Sequence, residues 1–349
     1  MNKDLYAVNR YQDKDMNEST TLMFKEATEA GQKIGSQIKN NTDLMSHLAK
    51  EIEAYKPSMV VLIGRGSSDH AGLFGKYLFE VETGLPVLHA APSVVTLFNS
   101  KLQLNKALVI AISQSGQSPD IVEYVAMAQN QGAMTIAMVN DDSSPLAREV
   151  DHVVPLAVGE EKAVAATKSY LGSLSALLQL VANVKKDQSL IEGVSHVQQA
   201  LQMAVVAEPQ LRIRHLAKTN HCVVMGRGFG YAIGMEMALK LKEVCAIQAE
   251  CFSSAEFLHG PVRIVSDNFR ILDIHIQDET IDMHAKQSKD LSTRGASLIP
   301  LRFDEAWINK RVLPLAIMQR FYLDLEVIGR EMGYNPDKPE GLLKVTETF

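Results

Sequence analysis

VVLIGRG at residues 60–66 and CVVMGRG at residues 222–228 are two copies of one stretch, each an apolar run that ends in Gly-Arg-Gly. They lie 162 residues apart (222 minus 60). The same offset carries the apolar run 107–112 onto 269–274, and a third landmark recurs at an offset of 163. A fixed internal offset indicates a duplicated structural unit. The sequence therefore predicts two tandem copies of one fold.

Each copy alternates short apolar runs bounded by glycine with longer segments of helical periodicity. Such alternation is typical of an α/β fold whose parallel sheet is covered by helices on both faces. We therefore predict two tandem doubly wound parallel sheets. Their strands are predicted at residues 58–63, 86–89, 107–112, 134–139 and 152–154 in the first copy, and at 221–225, 247–250, 270–275 and 297–301 in the second.

Domain boundaries follow from changes in this pattern. Residues 19–55 have helical spacing and few strand formers, and a polar stretch at 185–189 follows an apolar helical segment at 167–184. The predicted organisation is an N-terminal helical extension at residues 1–50, a first α/β domain at 51–190, a second at 191–335 and a C-terminal tail at 336–349.

Composition and charge exclude several classes of protein. Hydrophobic residues make up 46% of the 349 residues, which is enough for large buried cores and argues against a disordered chain. The net charge of -6 and the lack of a dense Lys/Arg block argue against nucleic-acid binding. With neither a signal peptide nor a membrane-length apolar run, we expect a cytoplasmic protein that does not bind membranes.

The three cysteines, Cys222, Cys245 and Cys251, lack the paired C-x-x-C spacing of zinc sites. An odd number in one half of the chain also gives no disulfide framework. We expect all three to be reduced and mostly structural, and we expect no metal site.

The sequence SQSGQSPD at residues 113–120 lies between an apolar strand and a helical pattern. Pro119 suits the first turn of a helix and Ser118 suits its N-cap, so free backbone N–H groups are expected to point toward the loop. Together with the hydroxyls of Ser113, Ser115 and Ser118, these groups would bind a phosphate dianion. The alternative is an ordinary polar turn, which needs fewer donors. The pattern favours a phosphate-binding loop.

The loop after the first strand, GRGSSD at residues 64–69, has a similar composition. It matches a dinucleotide fingerprint only in part, because Asp69 stands at the third glycine position. Ser67 and Ser68 either cap the following helix or donate hydrogen bonds to a sugar or its phosphate. In the second copy, residues 275–279 are acidic where the first copy has serines, so we expect no second phosphate site there.

Glu236, Lys240 and Glu243 fall at i, i+4 and i+7 of a helical segment and would form a line of acid, base and acid on one face. The alternative is a solvated pair on a helix surface, which contributes little to stability. His259 precedes a Gly-Pro turn, where an imidazole could lie at the rim of a pocket, although a lone histidine is more often structural.

These motifs, taken in order with VAATK at residues 164–168 and GLLKVTE at residues 341–347, resemble the sugar isomerase (SIS) family. The resemblance covers roughly residues 20–349 and is specifically to the isomerase half of glucosamine-6-phosphate synthase. It implies two SIS subdomains of flavodoxin-like topology. It also implies phosphate contacts at Ser113, Gln114, Ser115 and Ser118, and sugar contacts at Ser67, Ser68, Val164 and Ala165.

The resemblance further implies the chemistry of each candidate residue. Glu243 would move a proton between C1 and C2 of the sugar, His259 would open the ring, and Lys344 would meet the open-chain sugar. Glu236 and Lys240 would support the site. In the family the histidine comes from the neighbouring subunit, which implies a homodimer with the active site at the subunit interface. The partner would be a small sugar phosphate, and neither a metal nor another cofactor is implied.

Two departures from the family pattern bear on the reaction. Position 2 holds Asn2 and the first cysteine is Cys222, so we do not expect the cysteine nucleophile of a glutaminase domain. The chemistry would then run as deaminating isomerisation of glucosamine 6-phosphate to fructose 6-phosphate and ammonia. Ala166 stands where the synthase has a serine in V-A-S-T-K, which puts one hydroxyl contact in question.

Two other functions fit parts of the pattern. The same residues would serve a deglycase or isomerase that acts on another amino-sugar phosphate or on a fructosamine phosphate, because no motif fixes the walls of the pocket. The second alternative is a non-catalytic sugar-phosphate sensor. Such sensors carry a DNA-binding helix-turn-helix ahead of the domain, and the roughly 50 residues before the first strand lack a basic recognition helix.

Overall fold

The computed structural model describes residues 20–217 and 219–344, and within them nine strands form two parallel sheets. Every strand predicted from the sequence is present. The first sheet contains β1 (Met59–Ile63), β2 (Val87–His89), β3 (Ala107–Ser113), β4 (Met134–Val139) and β5 (His152–Pro155), and the second contains β6 (His221–Gly226), β7 (Gln248–Ser253), β8 (Arg270–His275) and β9 (Ser297–Arg302).

Helices connect the strands and cover both faces of each sheet. No helix in the described part of the chain is both long enough and apolar enough to cross a bilayer. The helices are α1 (Leu22–Tyr55), α2 (Ser67–Thr83), α3 (Ser93–Thr96), α4 (Pro119–Asn130), α5 (Pro145–Glu149), α6 (Lys168–Lys185), α7 (Gln188–Ser195), α8 (Val197–Val206), α9 (Ile213–Leu216), α10 (Phe229–Cys245), α11 (Ser254–Phe257), α12 (Ile281–Thr293) and α13 (Leu313–Glu331), with a short 3₁₀ helix at Pro261–Ile264.

The strand order places two loops of the first sheet side by side. The order is β2-β1-β3-β4-β5, so the chain adds strands in one direction from β1 and in the other direction from β3. The loops after β1 and β3 flank this switch point, where ligands bind in open parallel sheets. The second sheet repeats the arrangement as β7-β6-β8-β9. The predicted pair of doubly wound, flavodoxin-like subdomains is confirmed.

Alternate residues of the first strand pack into two different cores. Val60 and Leu62 join a large apolar cluster that contains residues of both halves, whereas Val61 and Ile63 join a cluster confined to the first half. In the second sheet, Val224 belongs to the shared cluster as well. Because side chains alternate across a strand, each sheet turns one face toward the shared cluster and the other toward its own outer helices. The two halves therefore share one continuous core.

The N-terminal helix belongs to this core and is not a peripheral extension. α1 buries Met23, Ala27 and Ile34 on one face, in the spacing of an amphipathic helix. Its Gln37 is also buried and donates a hydrogen bond to Leu156 O at 2.8 Å. The helix that the sequence predicted is therefore present, and it packs into the shared core against α6, α8 and α13. Residues 1–19 of the predicted extension lie outside the described part of the chain.

Candidate active site

The predicted phosphate loop lies at the switch point of the first sheet, between β3 and α4. Ser113 is the last residue of β3, and its buried hydroxyl accepts a hydrogen bond from Gly116 N at 3.0 Å. Ser115 Oγ accepts one from Gln117 N at 3.3 Å. In both bonds the serine is the acceptor, so its hydroxyl proton can be donated to a ligand. Ser118 occupies the N-cap position of α4 as predicted, but its side chain makes no capping bond.

The shape of this loop depends on glycine. Gly116 has a φ of 62°, and a Cβ added there would lie 2.1 Å from Ser144 Oγ, so a side chain would be both strained and blocked. Gln114 lies in the same loop, and its carbonyl accepts a hydrogen bond from Asn140 N at 3.3 Å. The loop is thus fixed against the segment that follows β4, and its donors are placed before a ligand arrives.

Arg65 connects the loop after β1 to the start of α4. Its Nε donates a hydrogen bond to Asp120 Oδ2 at 2.8 Å, and Asp120 is 1% exposed. A buried carboxylate in the first turn of α4 would repel a phosphate, so the guanidinium compensates for its charge. Arg65 was not among the site residues predicted from the sequence. The signal was the Gly-Arg-Gly that ends both copies of the repeated stretch.

The serines after β1 do not cap α2. Gly66 occupies the N-cap position with a φ of 54°, and no side chain makes a capping bond there. Ser67 Oγ instead donates to Glu236 Oε1 at 2.9 Å, across to the other half of the chain. Ser68 is half-buried in the first turn of α2. The capping alternative is therefore wrong for both serines, and Ser67 links the first sheet to α10.

Glu236, Lys240 and Glu243 form a connected line on α10, as their spacing predicted. Lys240 Nζ lies 3.5 Å from Glu236 Oε1 and 2.5 Å from Glu243 Oε2. The side chains of Glu236 and Lys240 are 0% and 1% exposed, and that of Glu243 is 21% exposed. The alternative of a solvated surface pair is therefore wrong. Because the buried charges have lost their water, each depends on its partners in the protein.

Glu236 is held by side chains from three helices. In addition to Lys240 on α10, His70 Nδ1 on α2 lies 2.9 Å from Oε2, and Tyr322 on α13 donates to Oε1 at 3.2 Å. Burial alone would raise the pKa of Glu236, but Lys240 and the hydrogen bonds from His70 and Ser67 outweigh burial and hold this pKa below its usual value. The pKa of Lys240 is raised, because its two carboxylate partners outweigh the effect of burial. Both groups are therefore charged at neutral pH.

Two of these partners were missed by the sequence analysis. His70 follows Ser67 by three residues and so lies on the same side of α2, which was an available signal. Tyr322 lies between Phe321 and Leu323 on α13, where nothing in the sequence sets it apart.

Glu243 lies near the C-terminal end of α10 and is partly exposed. Its Oε2 accepts the hydrogen bond from Lys240. No hydrogen bond to its Oε1 is found within residues 20–217 and 219–344. This oxygen is free to face a bound substrate, and a carboxylate so placed can accept a proton.

Glu161, a buried acid that the sequence analysis did not select, organises the segment before α6. Its carboxylate accepts hydrogen bonds from Ser169 Oγ at 2.6 Å and Thr167 N at 2.9 Å, and Lys344 Nζ lies 3.2 Å away. Burial would raise the pKa of Glu161, but Lys344 and these hydrogen bonds outweigh burial and lower it. Glu161 also acts electrostatically on Lys240. The segment therefore lies beside the charged line on α10.

The C-terminal tail contacts the same segment, which contains two of the predicted sugar contacts. Lys344 Nζ also donates a hydrogen bond to Ala163 O at 2.8 Å. The next residue, Val164, donates from its backbone N to Asp337 O at 3.1 Å. Val164 is half-buried and Ala165 is fully buried. The structure thus brings Lys344 to Val164 and, through Glu161, to α10. Residues 345–347 of the tail motif lie outside the described range.

His259 lies apart from the charged line within one chain. It occupies an exposed turn after α11, where its backbone N donates to Glu256 O at 3.0 Å. Among the residues that the structure describes, its ring makes no hydrogen bond or ion pair with α10. Its ring-opening role would require a neighbouring subunit and stays a prediction.

Comparison with known proteins identifies the family. The model of the SIS domain family matches residues 54–183 and 215–301. The chain belongs to the SIS domain family. The first matched segment contains the first sheet, and the second contains the second sheet except for Arg302 at the end of β9.

This SIS protein is similar to enzymes that act on sugar phosphates. It is 30% identical over 356 residues to the glutamine--fructose-6-phosphate aminotransferase (isomerizing) of Staphylococcus epidermidis, with 96% of this chain and 57% of that protein covered. The chain spans a little over half the length of the curated relatives that it matches.

Two solved structures show the same fold. A protein of Silicibacter pomeroyi that is classed as a phosphosugar isomerase shares 31% identity with a TM-score of 0.85, covering 91% of this chain and 100% of that one. The C-terminal domain of the glucosamine-fructose-6-phosphate aminotransferase of Francisella tularensis shares 24% identity with a TM-score of 0.82, covering 93% and 99%. The SIS protein is therefore homologous to the isomerase domain of these aminotransferases, which supports a sugar-phosphate isomerase.

Proposed function

We propose that this protein interconverts glucosamine 6-phosphate and fructose 6-phosphate, with release or uptake of ammonia. The observation that carries the proposal is the Glu236–Lys240–Glu243 line, which is joined through Ser67 to the loops of the first sheet. An anion-binding loop together with a proton acceptor is what an aldose–ketose isomerase of a sugar phosphate needs. The curated relatives, by their name, transfer an amino group to fructose 6-phosphate.

In this mechanism the phosphate binds the hydroxyls of Ser113, Ser115 and Ser118 at the start of α4, and its binding energy holds C1 and C2 against Glu243. Ring opening exposes an aldehyde, which makes the proton on C2 acidic. Glu243 takes this proton and returns it to C1, which converts the amino aldose into a ketose imine. Water hydrolyses the imine to fructose 6-phosphate and ammonia, so that one water is consumed in each turnover.

Free ammonia is the amine that this chain is equipped to exchange. Its three cysteines are buried, and burial raises the pKa of Cys222 and of Cys245 to about 12 and also raises the pKa of Cys251. A glutamine-hydrolysing site needs a nucleophile that is activated near neutral pH. These thiols do not provide one. For the residues of this chain, the proposal is therefore deamination or its ammonia-dependent reverse.

The test measures ammonia and fructose 6-phosphate released from glucosamine 6-phosphate by the purified chain. We expect equal amounts of both products, and we expect Glu243→Gln to lower kcat by about 10²- to 10⁴-fold, since it removes the proton acceptor. Glu192→Gln is the matched control, because Glu192 is an exposed glutamate on α7. Near-normal turnover by Glu243→Gln would refute the assigned role.

The same assay separates the other two functions. If a galactosamine or fructosamine phosphate is converted with release of its amine, and glucosamine 6-phosphate is not, the deglycase or isomerase alternative is established. A sugar phosphate that raises the melting temperature while none is turned over would establish a sensor.

We also propose a homodimer in which His259 of one subunit completes the site of the other. The exposed position of His259, away from α10, supports this arrangement. Mixing subunits of the two inactive variants Glu243→Gln and His259→Ala tests it. Half of the statistically formed dimers carry one intact site of two, so about a quarter of the wild-type activity should return. If both variants stay inactive after subunit exchange, each site is built within one chain.

A further inference from the structure

The second sheet ends in different chemistry at the position where the first sheet presents its phosphate loop. His275, the last residue of β8, corresponds to Ser113 at the repeat offset (275 minus 162). Asp273 lies two residues earlier on β8, and so on the same face of the sheet. His284, in the first turns of α12, packs against both. The second switch point therefore carries one carboxylate and two imidazoles.

These three side chains converge on one small volume. Asp273 Oδ2 lies 2.8 Å from His275 Nε2, and Asp273 Oδ1 lies 3.0 Å from His284 Nε2. The two imidazole rings are 5.1 Å apart between centroids. One nitrogen or oxygen atom from each residue can be chosen so that all three lie within 4.8 Å of one another. A single ion can therefore contact all three residues after small side-chain rotations.

His284 lacks the partners that a buried imidazole needs. Its side chain is 2% exposed, and neither ring nitrogen makes a hydrogen bond within the described part of the chain. Nε2 is close to Asp273 Oδ1, but the direction of approach is not that of a hydrogen bond. Buried polar atoms are nearly always satisfied, so an unsatisfied one calls for a partner such as an ion.

We propose that Asp273, His275 and His284 bind a divalent transition metal of the zinc class. Two imidazoles and one carboxylate are ligands that Zn²⁺ accepts in a tetrahedral site. With bonds of about 2.1 Å, the ligand atoms of such a site lie about 3.4 Å apart, close to the spacing of these side chains. Asp273 and His284 are buried, whereas the side chain of His275 is 23% exposed, so the fourth position opens toward solvent beside His275.

Charge also favours a cation here. The side chain of Asp273 is 2% exposed, so its carboxylate lies inside the protein. A metal ion would neutralise this carboxylate and would fasten the start of α12 to the end of β8.

No metal site was predicted from the sequence, because the three cysteines lack the spacing of zinc ligands. The actual signal was the Asp273-x-His275 pair at the end of an apolar strand, followed by a histidine nine residues later. That signal is weak in sequence alone, since only the packing of α12 against β8 shows that His284 belongs to the group.

The test is direct metal binding by the full chain after treatment with a chelator. A calorimetric titration with Zn²⁺ should give one binding site per chain. Co²⁺ bound at the same site should show the absorption bands of tetrahedral coordination. Zn²⁺ should also raise the melting temperature of the wild type. We expect His284→Gln and His275→Gln to weaken binding on the order of 100-fold, because each removes one of three protein ligands.

Two controls make the outcome decisive. His47→Gln changes a histidine whose side chain is 63% exposed on α1, and it should bind Zn²⁺ like the wild type. If circular dichroism shows that His284→Gln fails to fold, the test rests on His275→Gln, because the side chain of His275 is more exposed. A wild-type chain without stoichiometric Zn²⁺ binding, or equal binding by the wild type and His275→Gln, would overturn the proposal. Neither result bears on the deaminase assay, which is run separately.

Discussion

Lys240→Met tests whether the charged line on α10 is held together by its central cation. Lys240 is 1% exposed and lies between the carboxylates of Glu236 and Glu243. Methionine has a similar volume, so the substitution removes the charge and leaves only a small cavity. Glu236 would keep its hydrogen bonds from Ser67, His70 and Tyr322 but would lose its cation.

The expected loss follows from the burial of Glu236. Removing one partner of a buried ion pair costs about 3–5 kcal/mol, and the remaining hydrogen bonds place this variant near the lower end, at about 3 kcal/mol at pH 8. The double variant Glu236→Gln/Lys240→Met has no buried charge at these two positions. We therefore expect it to recover most of the free energy of unfolding that Lys240→Met loses.

The pH dependence has a definite sign. In the wild type the pKa of Glu236 is lowered, so its contribution to stability is present above the ordinary carboxyl pKa and is lost only as the pH falls through the lowered value. In Lys240→Met, burial is no longer opposed by the cation and the pKa of Glu236 rises. The carboxyl then takes up a proton as the pH falls, and the gap between wild type and variant should narrow between about pH 8 and pH 5.

The assay is urea unfolding at about pH 8 and about pH 5, monitored by circular dichroism. Lys289→Met, at an exposed lysine on α12, is the matched control and should change the free energy of unfolding by less than about 0.5 kcal/mol. A loss under about 1 kcal/mol for Lys240→Met would refute the reasoning. So would an equal loss at both pH values, or a double variant no more stable than the single one.

Two further predictions concern the loops around the site. The double variant Ser115→Ala/Ser118→Ala should raise KM by about 100-fold or more with a smaller change in kcat, because each of two hydrogen bonds to a charged phosphate contributes ~1.5 kcal/mol or more. An unchanged KM would show that the loop does not bind phosphate. Glu161→Gln should weaken the contact between residue 161 and Lys344 and so accelerate tryptic cleavage after Lys344. The change Glu160→Gln, at an exposed neighbouring residue, should leave the cleavage rate unchanged. Equal cleavage rates in the two variants would show that Glu161 does not fix the tail.

Local periodicity predicted the features that depend on one segment of chain. The strands were readable because parallel strands buried on both faces form apolar runs, as β3 does along its whole length. The line of Glu236, Lys240 and Glu243 was readable because helical spacing alone places these residues on one face. The turn between β3 and α4 was predictable from its serines and from Pro119, whereas its binding of phosphate stays a prediction.

Features that depend on contacts between distant segments could not be predicted. The spacing of Ser67 suits a capping role, but its hydroxyl bonds to Glu236, which lies 169 residues away along the chain. Tyr322 became part of the site only because α13 packs against α10, and Glu161 only because the fold brings it close enough to act electrostatically on Lys240. The burial of α1 in the core was hidden for the same reason, since helical spacing shows that a face is apolar but not what covers it.

The charges of the site exist in their present form only when the two halves are docked. Glu236 belongs to the second half, as does its partner Tyr322 on α13, but its partners Ser67 and His70 come from α2 in the first half. Without them, burial would leave Lys240 as the main support for an ionised carboxylate, and the same carboxylate fixes the position of Lys240 beside Glu243. The position of the proposed proton acceptor is thus set by contacts across the whole chain, which is why neither duplicated half carries the site by itself.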